Sequence, residues 1–133
     1  MYRCAVGVVI AFWSLLASAE DWQVVSVTQL GQLRLNKASV SKAGIFTAAV
    51  LVYEFKDLQK LTSPPYAVFN KRQDDVQVDC SNPSLGILTS NFFEGDKLVS
   101  KIGVNAPDVK HKPSEAGTMA ATVVQAVCAA APN

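Results

Sequence analysis

Residues 76–80, Val-Gln-Val-Asp-Cys, constrain this chain more than any other stretch. In an extended strand, Val76, Val78 and Cys80 share one face, while Gln77 and Asp79 share the other. Cys128 lies 48 positions downstream and closes an Ala/Val-rich run with helical spacing. A bridge between Cys80 and Cys128 would pin that run to the buried face of the strand. The remaining residues then have to supply a sheet that holds the pair.

Whether a bridge is expected depends on the N-terminus. Met1-Tyr2-Arg3 is a short positive start, residues 4–16 are almost wholly apolar, and Ala17-Ser18-Ala19 precedes Glu20. This is the pattern of a secretory signal peptide cleaved between Ala19 and Glu20. The apolar run is shorter than the ~20 residues a spanning helix needs, so no transmembrane anchor is expected after cleavage. Cys4 stands at the start of the run rather than its end, which argues against lipidation there. Removing residues 1–19 from the 133-residue chain leaves 114, enough for one domain at 20–133. Cys80 and Cys128 are then the only cysteines. In an exported chain two cysteines read as one disulfide, the alternative being two buried thiols.

The chain carries 12 Lys+Arg and 11 Asp+Glu, and cleavage removes Arg3, so the mature protein is close to neutral. A nucleic-acid binder would show a basic footprint, and none is expected here.

Residues 22–30 are rich in β-branched side chains and predict a first strand, broken at Gly31. Residues 32–36 predict a short second strand, and 37–44 a polar connection. Residues 45–55 predict the central strand, because both of its faces are apolar. Ile45, Thr47, Ala49, Leu51, Tyr53 and Phe55 occupy one face, and Phe46, Ala48, Val50 and Val52 the other. A loop is expected over 56–65. Residues 66–69 and 76–80 read as one strand interrupted by the polar NKRQDD stretch. A hairpin of 85–93 and 97–103 turns at Glu94-Gly95-Asp96. After an irregular connector at 105–113, Ser114 is the expected N-cap of a helix striped by Ala116, Met119, Ala120, Val123 and Val127. The fold class is therefore α+β: an antiparallel sheet of about six strands with one C-terminal helix on one face.

No catalytic constellation is visible. The sole histidine, His111, sits between Lys110 and Lys112. GxSxG, Ser-x-x-Lys, P-loop and GxGxxG patterns do not occur. Neither a metal site nor a cofactor is expected. Two small basic clusters, Lys71-Arg72 and Lys110-His111-Lys112, form a candidate contact patch for an acidic partner. The second apolar face of the central strand, Phe46, Ala48, Val50 and Val52, is a candidate homodimer face.

The order of these pieces resembles a known family. A Trp22 strand leads to Ser39-Val40-Ser41-Lys42-Ala43-Gly44. The long apolar strand follows, then the strand ending Asp79-Cys80, a Gly-containing hairpin, and a Pro-Ser-entered helix ending at Cys128. This resembles the bacterial surface-adhesin protein E-like domain over residues 21–128. The chain departs from that pattern at Asn36, Tyr53 and Phe55. The resemblance implies an exported protein with a disulfide-tethered helix and frequent dimerisation. The expected function is a non-enzymatic binding module of the bacterial envelope. It would be periplasmic or secreted, or surface-associated, and would mediate adhesion or bind a protein or extracellular-matrix partner. The competing expectation is a periplasmic carrier that holds a small ligand in the groove between helix and sheet.

Overall fold

A computed structural model describes residues 21–132. The expected cleavage site at Ala19–Glu20 lies outside the described residues. Six strands follow one another as an antiparallel meander: β1 (Trp22–Val27), β2 (Gly31–Ala43), β3 (Phe46–Lys60), β4 (Val68–Asp79), β5 (Ser84–Glu94) and β6 (Lys97–Gly103). A two-residue strand, β7 (Lys112–Pro113), pairs with the start of β5. An α-helix, α1 (Met119–Ala130), then crosses one face. This is the α+β sheet with C-terminal helix that the sequence predicts, and Cys80 is bonded to Cys128 with their Cα atoms 5.9 Å apart.

β2 and β3 run longer than hydropathy implied, whereas β1 stops at Val27 instead of continuing to residue 30. Residues 37–43, expected as a polar connection, belong to β2, because their polar groups satisfy a bulge. Asn36 Oδ1 accepts from the Ala38 amide at 3.1 Å, the Ser39 hydroxyl donates to the Asn36 carbonyl at 2.6 Å, and the Val50 amide donates to Ser39 Oγ at 2.8 Å. The expected loop at 56–65 is likewise strand as far as Lys60, beyond a second irregularity between Glu54 and Gln59. NKRQDD does not interrupt β4. It pairs with β3 on one side and β5 on the other, so its backbone groups are satisfied whatever its side chains prefer.

The strand parity expected for β3 holds. Thr47, Ala49 and Leu51 are buried on the helix side. Val123, Val124 and Val127 of α1 pack there against Leu33, Leu35, Ala49, Leu51, Val76 and Val78. Each valine so buried contributes roughly 1.5–3 kcal/mol. The helix begins later than predicted. Thr118, not Ser114, is the N-cap, and its Oγ1 accepts from the Ala121 amide at 3.2 Å. Ala116 therefore precedes the helix, and Val124 joins the buried stripe.

Candidate functional site

A twelve-residue helix is about 18 Å long and cannot cover the helix-side face of a six-stranded sheet. Between its first turn and the β5–β6 side it leaves a groove of about 380 Å³, lined by Leu85, Ile87, Val104, Asp108, Lys110, Lys112 and Ala120. Ile87 and Val104 remain 44% and 48% exposed, which is unusual for side chains on a core-facing surface. A smaller cavity of about 100 Å³ shares Leu85, Ile87 and Ala120 and reaches inward to Tyr53, Arg72, Asp74 and Met119.

The outer lip is the connector that sequence reading left as irregular. It leaves β6 with the Val104 amide bonded to the Leu88 carbonyl at 2.8 Å, makes a short 3-10 turn at Ala106–Asp108, and returns as β7. Its alternation decides the chemistry of the lip. Asp108, Lys110 and Lys112 line the groove, while Val109 and His111 close over Gly86. A Cβ on Gly86 would lie 2.5 Å from Val109 Cγ1 and 3.0 Å from His111 Nε2, so only glycine admits the approach.

His111 is the clasp. Its ring stacks on Phe46 at 4.4 Å, Nδ1 lies 3.2 Å from Ser84 Oγ, and Nε2 lies 3.2 Å from Gln77 Oε1. A serine beside a histidine invites comparison with an acyl-transfer pair, but the third member is a neutral amide that cannot stabilise an imidazolium as a carboxylate does. The groove is lined by neither Ser84 nor His111. The arrangement is a structural fastening, invisible in the sequence because Gln77, Ser84 and His111 meet only through the β4–β5–β7 register.

At the inner end, Asp74 is a buried carboxylate, 5% exposed. It accepts from Ser90 Oγ at 2.7 Å and from the Arg72 guanidinium at 3.0 Å. Burial pushes the Asp74 carboxyl up from its ordinary range, and the neighbouring Asp75 adds to this, while Arg72 and Ser90 oppose it. Arg72 also lies over the Tyr53 ring at 5.8 Å, and its Nε is buried without a hydrogen-bond partner. Asp74 belongs to the polar NKRQDD stretch expected to interrupt the strand. Its spacing from Val76 and Val78, two and four residues on, is the signal that would have assigned it to the buried face.

The expected basic patch is divided between the two faces. Arg72 lines the inner cavity and Lys110 and Lys112 the groove. Lys71 points the other way, over the Phe93 ring at 4.9 Å and 3.9 Å from Asp96, and His111 packs on Phe46. Strand alternation separates each pair of sequence neighbours. The candidate dimer face is also less open than its pattern implied. Phe46, Ala48 and Val50 are half-buried, and Val52 is 5% exposed. Val52 lies beside a groove it shares with Trp22, Arg34, Glu54, Lys71 and Gln73, where Arg34 sits 5.2 Å over the Trp22 ring and pairs with Glu54.

Among the described residues, no helix is long and apolar enough to cross a membrane, and no group of three or more His, Cys, Asp or Glu could hold a metal ion. The sequence matches no family model, and a search of curated proteins finds no match.

Proposed function

We propose that this protein is an exported, non-enzymatic binding module of the bacterial envelope that holds a small apolar or amphiphilic ligand in the groove between α1 and the sheet. The observation that carries this reading is the groove itself. It is concave, Ile87 and Val104 in its lining stay exposed, and its volume of about 380 Å³ falls within the ~300–1,000 Å³ range of ligand sites. The Cys80–Cys128 bridge supports an oxidising compartment, as does the apolar leader with its small-residue cleavage motif. The strand order and the Asp79-Cys80/Cys128 pairing support kinship with surface-adhesin E-like domains. Adhesion to a protein or matrix partner rests on that resemblance, whereas the small-ligand reading has a preformed cleft behind it. Homodimerisation through Phe46, Ala48, Val50 and Val52 draws less support, because Val52 is buried and Phe46 is stacked against His111.

The test is binding of the uncharged dye N-phenyl-1-naphthylamine. Fluorescence should rise saturably with the disulfide-bonded protein. Ala120→Leu, which fills the groove, should abolish the rise while the thermal midpoint stays within a few degrees. A protein that leaves the dye dark would refute the groove as a binding site.

A further inference from the structure

The chemistry of the lip narrows the ligand class, on the reading that the groove binds a ligand at all. Lys110 and Lys112 line the groove with one opposing carboxylate, Asp108, so the lining carries one net positive charge. Among the described residues the ion pairs are Arg34–Glu54, Lys37–Asp21, Lys71–Asp96 and Arg72–Asp74, and neither groove lysine takes part. Ala120, in the first turn of α1, also lines the groove, and that turn holds no acidic side chain to offset the positive end of the helix dipole. The apolar residues run inward from the lysines, through Leu85, Ile87 and Ala120, into the second cavity. Positive charge at the mouth therefore meets an apolar floor that leads away from it.

We propose that the groove takes a single-chain amphiphile with an anionic head, such as an alkyl carboxylate. The head sits against Lys110 and Lys112, and the chain lies along Val104, Ile87, Leu85 and Ala120. The fastening of His111 to Ser84, Gln77 and Phe46 gives the lysines their position. By strand alternation, holding residue 111 on one side holds residues 110 and 112 on the other. At the inner end Arg72 is already paired with Asp74, which leaves Lys110 and Lys112 as the uncompensated cations for the head. A bilayer surface is a poorer fit, because a concave groove suits one chain rather than a plane of headgroups.

The experiment is isothermal titration of the disulfide-bonded protein with decanoate, decanol and decyltrimethylammonium, each below its micelle concentration and at low salt. Decanoate should bind about five- to thirty-fold more tightly than decanol, the range expected of two exposed ammonium contacts. The cation should bind most weakly. Lengthening the carboxylate from hexanoate should tighten binding about four-fold per methylene until the groove is full. Lys110→Gln with Lys112→Gln should bring decanoate down to the level of decanol or below it, since Asp108 remains, and leave decanol unchanged. Both lysines are exposed, so folding is not at stake. Asp108→Asn should strengthen decanoate a few-fold.

Equal affinity for the three head groups, or a decanoate preference that survives the double lysine variant, would overturn the anionic assignment while leaving the groove a binding site. Absence of heat with all three ligands, together with a dark dye, would remove the groove reading itself.

Discussion

Removing the Cys80–Cys128 bridge should cost the protein a large share of its stability, and the size follows from the loop it closes. The cysteines are 48 positions apart. A crosslink over that distance removes about 14 cal/mol/K of entropy from the unfolded chain, or roughly 4 kcal/mol at 25 °C. Domains of this size are stable by only about 5–15 kcal/mol. The Cys80→Ala/Cys128→Ala variant should therefore stay folded with a much lower urea midpoint, and its thermal midpoint should fall by on the order of 15–25 °C. It should keep its helix docked, because Val123, Val124 and Val127 remain buried against the sheet without the bridge. Urea titration followed by far-ultraviolet circular dichroism measures the loss, and the slope of the transition is the internal control. A crosslink that confines the unfolded chain should leave a steeper transition in the bridge-free variant, since more surface is then exposed on unfolding. A loss below about 1 kcal/mol with an unchanged slope would refute the reasoning. The loop would then already be held close in the unfolded chain, and the packing of α1 alone would carry its attachment.

Gly86→Ala should destabilise by about 1–3 kcal/mol, because the new methyl group pushes against Val109 and His111. It should also shift the His111 ring resonances, and an unperturbed His111 spectrum would show that the clasp does not depend on that approach. Asp74 binds its proton more readily in the folded state than in the unfolded chain, so its contribution to stability is greatest at low pH and is lost as pH rises through the folded value. Urea midpoints from pH 4 to 7 should show this component in the wild type and not in Asp74→Asn; parallel curves would contradict it. Val127→Ala should cost about 2–3 kcal/mol for a fully buried side chain, whereas Val27→Ala, at a position 69% exposed, should cost less than about 0.5 kcal/mol by the same titration.

Much of the fold was legible because it depends on patterns that survive any tertiary arrangement. Period-two alternation assigned the faces of β3, and helical spacing located α1. Counting cysteines beyond the apolar N-terminal run singled out Cys80 and Cys128. Legibility ended where polar residues were held by partners far along the chain. NKRQDD reads as a break by composition, yet it is strand because β3 and β5 satisfy its backbone from both sides. Residues 37–43 read as a loop, yet Ser39 bonds the Val50 amide and keeps them in β2. The candidate site was less legible than the fold. Its outer lip is a segment without periodicity, and its charges were grouped by sequence adjacency although extended backbone sends adjacent residues to opposite faces.

By itself, the sequence determined the antiparallel sheet, the helix and the pair of cysteines that joins them, since hydrophobic period and cysteine count are properties of the chain alone. The tertiary structure decided which side chains share a surface. Only the register of β3, β4, β5 and β7 sets His111 against Phe46, Ser84 and Gln77, sends Lys110 and Lys112 to the groove, and buries Asp74 beside Arg72 and Ser90. Apart from Arg72–Asp74, which are neighbours on one strand face, those contacts cross 16 to 65 positions of chain, and no local pattern specifies a pairing at that range.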